Sequence, residues 1–531
     1  MAKQRTPRLV GVLAAAGLGV GLALSGCSPA AEQPAPTTSA APETGGELRI
    51  QFTGSPISLN PALAASGGST VYTNLTYDPL IYLDAEGKLV PDLAESWEFV
   101  SDDNTVLELK LREGVSFHGG GELDATAAKA SMDYFLGAGG QMVRQVGPID
   151  EIEVVDATTL RIHYGTPFPD APWTLTQYFQ LGSIIGPDGL ADPESLLTSS
   201  DGTGQYVYNA DESVVDANYV YDRNETYWNP DAQMFDRVSV QVITDPNAVV
   251  AAISTGQVDF STGSVLTTDA ARSAGLAVLG APYYIWAIQI LDRNGELNPA
   301  LGDVRVREAI QLGLDRQTIA DAVVGEFGEV NGQIVHEGAV GYVPGLGEDY
   351  NVDAAKQLLA DAGYADGLTI RLATTTAMDP QSIIAQAMAA SLAEVGITVE
   401  LDVEANGLPR LLERSEAKEF EAMLLPIQGA RHVGQSSQTL ASRPNLNPWQ
   451  VKDAEIDELY AKTLVSNEAD APAVHRALNE RWNELAWVIP VYSDQRLFYA
   501  VDTLENVSVS SGNPNPVPIG PAPEYSWKIS R

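Results

Sequence analysis

Five histidines, 70 acidic residues and one cysteine are the groups on which acid–base, metal or thiol chemistry would draw, and their spacing excludes more than it offers. His118, His163, His336, His432 and His475 are scattered, with no H-x-x-x-H pair to set two imidazoles on one helix face, so a zinc-hydrolase site is not expected. No G-x-x-x-x-G-K-[ST] occurs. The glycine clusters at Gly67–Gly68 and Gly119–Gly121 lack the lysine that would reach a phosphate. A G-x-S-x-G nucleophile turn is missing too. With 70 carboxylates, some pair will always imitate a glycosidase, so that signal has no weight. The lone Cys27 excludes an internal disulfide and any cluster of thiolate ligands. No cofactor is expected. What is left is the chemistry of binding: in YYIWAIQ (Tyr283–Gln289), Tyr284 and Trp286 alternate with Tyr283 and Ile285, and flat rings on one strand face suit sugar faces or apolar side chains.

Those groups need elements to position them, and the first residues are not part of the fold. Lys3, Arg5 and Arg8 precede an apolar run, Leu9–Leu24, too short and glycine-rich for a comfortable spanning helix, which reads as a secretory signal over residues 1–26. Leu24-Ser25-Gly26-Cys27 resembles the bacterial lipobox, which implies cleavage before Cys27 and diacylglycerol on its sulfur: anchored to the outer face of the cytoplasmic membrane, not spanning it. Residues 27–45 are rich in Pro, Ala, Ser and Thr and cannot bury enough surface to fold, so they form a disordered tether. The body begins near Gly46. Its 531-residue parent chain allows about three folding units. A formal charge of −39 repels phosphate backbones, so nucleic acid is not a partner, while 44% hydrophobic residues make the bulk globular.

Periodicity gives mixed α/β structure. Trp97–Val100, a polar SDDNT, and Leu107, Leu109, Leu111 alternating with Glu108 and Lys110 predict a hairpin. A strand at Gly367–Thr374, a helix from Pro380 to Val395 stopped by Gly396, and a strand through Ile397, Val399, Leu401 and Val403 predict a βαβ unit. Asn351 caps a helix that Gly363 ends, and Asp470 with Pro472 opens another, with Val474, Leu478, Trp482 and Leu485 on one face.

From Tyr77 to Gly120 the chain reads YDPLIYLDAEGKLVPDLAESWEFVSDDNTVLELKLREGVSFHGG, which resembles the opening of extracytoplasmic solute-binding proteins of the oligopeptide, dipeptide and nickel class. GTGQY (Gly202–Tyr206), RNETYWNP (Arg223–Pro230), DVRVREAIQLGLDRQTI (Asp303–Ile319), YNVDAAKQLLADAGY (Tyr350–Tyr364) and WVIPVYSDQR (Trp487–Arg496) follow in the family's order, so the likeness runs from Gly46 to about Val501. It implies a two-lobe periplasmic-binding-protein-like α/β fold of type II, cluster C. Lobe I would be 46–78 with 200–280 and 490–531, an inserted subdomain 79–199, and lobe II 281–489. Two crossings between lobes make a hinge. It further implies a monomeric receptor, not an enzyme, that closes on a small-molecule ligand and passes it to ABC permease subunits with cytoplasmic ATPases. A metal-chelate receptor of the same family, or a secreted hydrolase, are the alternatives.

The likeness also points to ligand contacts: the loop Ala65–Thr70 with Ser66 and Gly67, the strand bearing Tyr284, Trp286 and Gln289, and the stretch after Phe420–Leu425 with Arg431, His432 and Gln435. Peptide-binding members carry there an Asp that pairs with the ligand's α-ammonium, whereas Ile427–Thr439 has no acid. Cations in its place favour a ligand that offers carboxylate, phosphate or hydroxyl acceptors. The alternative is that Arg431 faces solvent or pairs with one of the many acids. His432 would serve a metal chelate. Phe168, Trp173 and Tyr178, in a proline-rich stretch, belong either to the cleft or to the subdomain core.

Overall fold

Alternating apolar residues such as Leu48 and Ile50, both buried, build strands that join into one long sheet. The computed structural model describes residues 44–64, 70–379, 382–466, 469–510 and 514–530. The secretory signal, Cys27 and nearly all of the tether lie outside the described residues, as do Ser66 and Gly67. Eleven strands make up the sheet, in the order Ile397–Glu404, Leu368–Thr375, Ala422–Gln428, Ala277–Ile290, Val488–Ala500, Phe260–Thr262, Glu47–Phe52, Arg237–Val242, Asn218–Arg223 and Tyr206–Val214, with Gly328–Val330 also on Val488–Ala500.

Two of these strands are much longer than the rest. Ala277–Ile290 and Val488–Ala500 pair antiparallel from Ala277↔Ala500 to Gln289↔Val488, with register shifts between Pro282 and Ile285 and between Trp286 and Ala287. At one end of this ribbon, Leu279 and Phe498 pack with Leu48, Ile50, Phe260 and Trp527. At the other end Ile288, Ile290, Ile489 and Val491 pack with Val306, Ile310, Ile370 and Leu372. The ribbon thus joins two separate cores, and its bulges lie between them, where extra local twist is easiest to accommodate.

The periodic segments form as the spacing predicts. Leu368–Thr375, the helix Ile383–Ala393 and Ile397–Glu404 make a βαβ unit whose strands are parallel from Leu368↔Ile397 to Thr375↔Glu404. Gly396, at φ +90°, supplies the left-handed turn that a side chain would resist. The Asn351 side chain accepts from the Ala354 amide at 3.0 Å. In Ala471–Leu485, Leu478 and Trp482 are buried in a third cluster with Ile285, Trp487 and Val488.

A second sheet, in the order Ala94–Phe99, Val106–Leu111, Thr159–Tyr164 and Ile149–Asp156, contains the predicted hairpin, with Trp97↔Leu109 and Phe99↔Leu107. The helix Ala125–Gly137 is capped by Asp124, which accepts from the Ala127 amide at 2.7 Å, and Met132 and Phe135 join Leu107, Leu109 and Ile162 in its core. From this subdomain the segment 168–185 reaches the long sheet. Phe168 stays inside, with its ring 5.1 Å from Tyr164, while Trp173 and Tyr178 lie at the cleft.

Candidate ligand cleft

The strand Ala422–Gln428 pairs with Ala277–Ile290 so that Tyr284 lies opposite Gln428 and Gln289 opposite Met423. Gly429 follows, and a Cβ there would come within 2.5 Å of the His336 ring, so the chain can turn only with glycine at this point. The Val340 amide holds the Arg431 carbonyl at 2.8 Å. His432 then caps the helix Val433–Ser442, its Nδ1 accepting from the Gln435 amide at 3.2 Å. What reads in sequence as one long loop is therefore a strand end, a pinned turn and a helix start.

That turn meets the subdomain through charge. Asp170 Oδ1 accepts from Arg431 Nη2 at 2.5 Å, and its Oδ2 lies 2.9 Å from His432 Nε2. Because Nδ1 of His432 is an acceptor, the proton on Nε2 faces Asp170. The Arg431 guanidinium also stacks on Trp173, 3.5 Å from the ring centroid. Burial works to raise the Asp170 carboxyl, but His432 and Arg431 outweigh it and hold it far below the usual carboxylate range. Burial pushes Arg431 down, with Asp170 opposing. Beside them His475 accepts from the Gly434 amide and is pushed down to about 4 by burial and by His432. Two neutral contacts extend the seam: Gln428 Nε2 donates to Tyr178 Oη at 2.8 Å, and Asn104 Nδ2 to the Leu464 carbonyl at 3.2 Å.

Within the seam lies a cavity of about 340 Å³. Tyr178 and Phe179 wall one side, Tyr284, Leu408, Leu412 and Leu425 the other, and Gln289, Gln435 and Asn445 give it polar points. A smaller space of about 60 Å³ adjoins it beside Trp173, Tyr283 and Arg431. The volume and the mixture of rings, aliphatics and a few polar groups are those of a small-molecule pocket.

The sequence-predicted residues fall in three places. Tyr284, Gln289 and Gln435 line the large cavity. Trp286 does not: it is 4% exposed, its indole donates to Asp494 Oδ2 at 2.9 Å, and it packs near Tyr492 in the core. Arg431 lines the smaller space but is not short of a carboxylate, because Asp170 reaches it from a remote segment, and His432 is engaged at both ring nitrogens. Sequence reasoning missed Asp170, Phe179, Arg443 and Asn445. Asp170 precedes a short helix, Ala171–Thr174, in the manner of a cap, yet its side chain makes no capping bond.

Residues 88–441 match the model of the bacterial extracellular solute-binding proteins, family 5. The chain belongs to this family. As a family 5 protein it is an extracytoplasmic binding receptor of an ABC importer, not an enzyme, and it works with permease and ATPase components. A probable peptide ABC transporter periplasmic-binding protein, y4tO of Sinorhizobium fredii, is 28% identical over 379 residues, covering 64% of this chain and 67% of that one. The glutathione-binding protein GsiB of Shigella flexneri is 23% identical over 436 residues, covering 78% and 82%. The solved HbpA2 of Haemophilus parasuis superposes with a TM-score of 0.78 at 20% identity, over 92% of this chain and 100% of the other, and shares the two-lobe fold. Among the described residues no helix is long and apolar enough to cross a membrane.

Proposed function

We propose that this family 5 receptor is held to the outer face of the cytoplasmic membrane by lipid on Cys27 and closes on one small organic solute in the cavity beside Tyr284 and Gln289. As a monomer it hands that solute to an ABC import permease. The observation that carries this is the cavity itself, enclosed between Tyr178 and Phe179 of the subdomain and the sheet that bears Tyr284, with Asp170 gripping Arg431 and His432 across the seam. Lobe I as 46–78 with 200–280 and 490–531, the insertion as 79–199 and lobe II as 281–489 put one crossing in each strand of the long ribbon. The relatives y4tO and GsiB, described as peptide and glutathione receptors, favour a solute with amide bonds.

The experiment is native mass spectrometry of the protein as purified, followed by thermal melting and solution scattering with the solute it releases. We expect one solute per chain, no turnover, a melting temperature that rises with the logarithm of concentration, and a smaller radius of gyration when solute is restored. A bound solute that leaves the scattering curve unchanged would argue against closure.

Anchorage gives a separate prediction. With Cys27→Ser the precursor should stay uncleaved and unlipidated, and should migrate more slowly than wild type. Wild-type fractionation and mobility for this variant would refute the lipid anchor.

A further inference from the structure

In a chain with 70 acidic residues against 31 basic ones, no Asp or Glu among the described residues lines either space of the cleft. Acids beside the cleft are committed, Asp379 among them, which accepts from the Ile384 and Ala385 amides at 3.0 Å. Asp170 is taken by Arg431 and His432, and Asp494 accepts from the Trp286 indole and the Tyr284 amide. At the cavity's exposed mouth Arg443 forms no ion pair among the described residues. Deeper in, Gln289 is 2% exposed and its Nε2 donates to the Leu425 carbonyl at 3.1 Å, which fixes the amide so that Oε1 is the end left over. Among the described residues that oxygen is buried without a partner, and so are the side-chain oxygens of Gln435 and Asn445, which line the same cavity.

Resting on the cleft being the ligand site, we infer that the solute is an amide-bearing carboxylate with no free ammonium group, such as an N-acylated amino acid or a short N-blocked peptide. A buried amide oxygen without a donor is costly, and a ligand N–H would satisfy Gln289. The carboxylate belongs at Arg443, whose guanidinium accepts a two-oxygen anion in a matched fork. An ammonium would enter a space that holds no countercharge and has a cation at its mouth, and neutral amide oxygens do not offset the loss of its hydration. The leucines and the tyrosine and phenylalanine rings take the ligand's apolar body.

The test is a competition on the purified protein. An equimolar mixture of casein-derived di- to tetrapeptides and the same peptides N-acetylated is offered, unbound material is removed by gel filtration, and the retained masses are read by native mass spectrometry. Acetylated peptides should be retained at about tenfold or more over their free-amino counterparts. Methyl esterification of the carboxyl, or Arg443→Ala, should each lower retention about tenfold, the size of one lost charged hydrogen bond. Arg443→Lys should restore part of it. Equal or better retention of free-amino peptides, or an Arg443→Ala protein that binds as wild type, would overturn the inference and leave the receptor function intact. Retention of neither set would overturn it too, and the receptor function would then be judged on the released solute and its scattering.

Discussion

Without solute, closed and open molecules should coexist, and Asp170→Ala should shift that balance toward open, as solute shifts it toward closed. The substitution removes the carboxylate that Arg431 and His432 share, and leaves two nitrogen-bearing groups about four-fifths buried with no acceptor. Breaking such a pair from one side costs about 2 to 3 kcal/mol, at the low end for buried pairs because some water reaches this one. The ratio of closed to open molecules should therefore fall by about 30- to 150-fold. Solution scattering should show a larger radius of gyration, and apparent affinity should drop with the closed fraction, because only the closed form holds ligand on both sides. The pH dependence has a definite sign. Asp170 is lowered when paired and returns to the ordinary carboxylate value, about 3.9, when released. Its contribution to closure is thus full above about pH 4, and fades as pH falls below that through the lowered value. An Asp170→Ala protein with wild-type scattering at neutral pH would refute the seam's role.

The second large effect is on stability, at Arg293. This side chain is 4% exposed and has no carboxylate partner among the described residues. It donates to the carbonyls of Ile290, Leu440 and Leu446 at 3.3, 3.3 and 3.0 Å, with its guanidinium 4.8 Å from the Trp487 ring and 5.7 Å from Trp482. Burial, with help from Arg307, pushes it down to about 9, still high enough to keep the charge at neutral pH. Arg293→Met fills the stem's volume but leaves the Leu440 and Leu446 carbonyls without a donor. At about 1 to 3 kcal/mol each the expected loss is about 2 to 6 kcal/mol, read as a lower midpoint in urea with an unchanged slope. Leu440 and Leu446 both line the cavity, so ligand retention should fall as well. A loss under 1 kcal/mol would mean that water or the backbone satisfies them.

Local pattern made much of the fold legible. The hairpin at Trp97–Leu111 and the βαβ unit at Leu368–Glu404 follow from alternation and helical spacing, which neighbours in sequence determine. The site divides along the same line. Tyr284 and Gln289 were within reach because one aromatic strand carries both. Trp286 was misplaced in the cleft because alternation gives two faces without saying which one is the core, and the register shift after Trp286 breaks the alternation before Gln289. Asp170 was out of reach: it meets Arg431 across 261 positions, and in sequence it is one acid among 70. Arg293 was passed over because arginine is ordinarily a surface residue, and its partners are carbonyls, which every residue has.

The long ribbon also decides when the chain can fold. Val488–Ala500 pairs with Ala277–Ile290 on one side and with Phe260–Thr262 on the other, and Phe260 in turn pairs with Ile50 near the beginning. Made from its N-terminus, the chain has nearly all of its strands before this one exists. The Leu48 core lacks Phe498 and the Ile370 core lacks Ile489 until then. Neither lobe can mature on its own ahead of the other, so both wait for the same late strand, with sheet edges that have to be kept from other chains in the meantime.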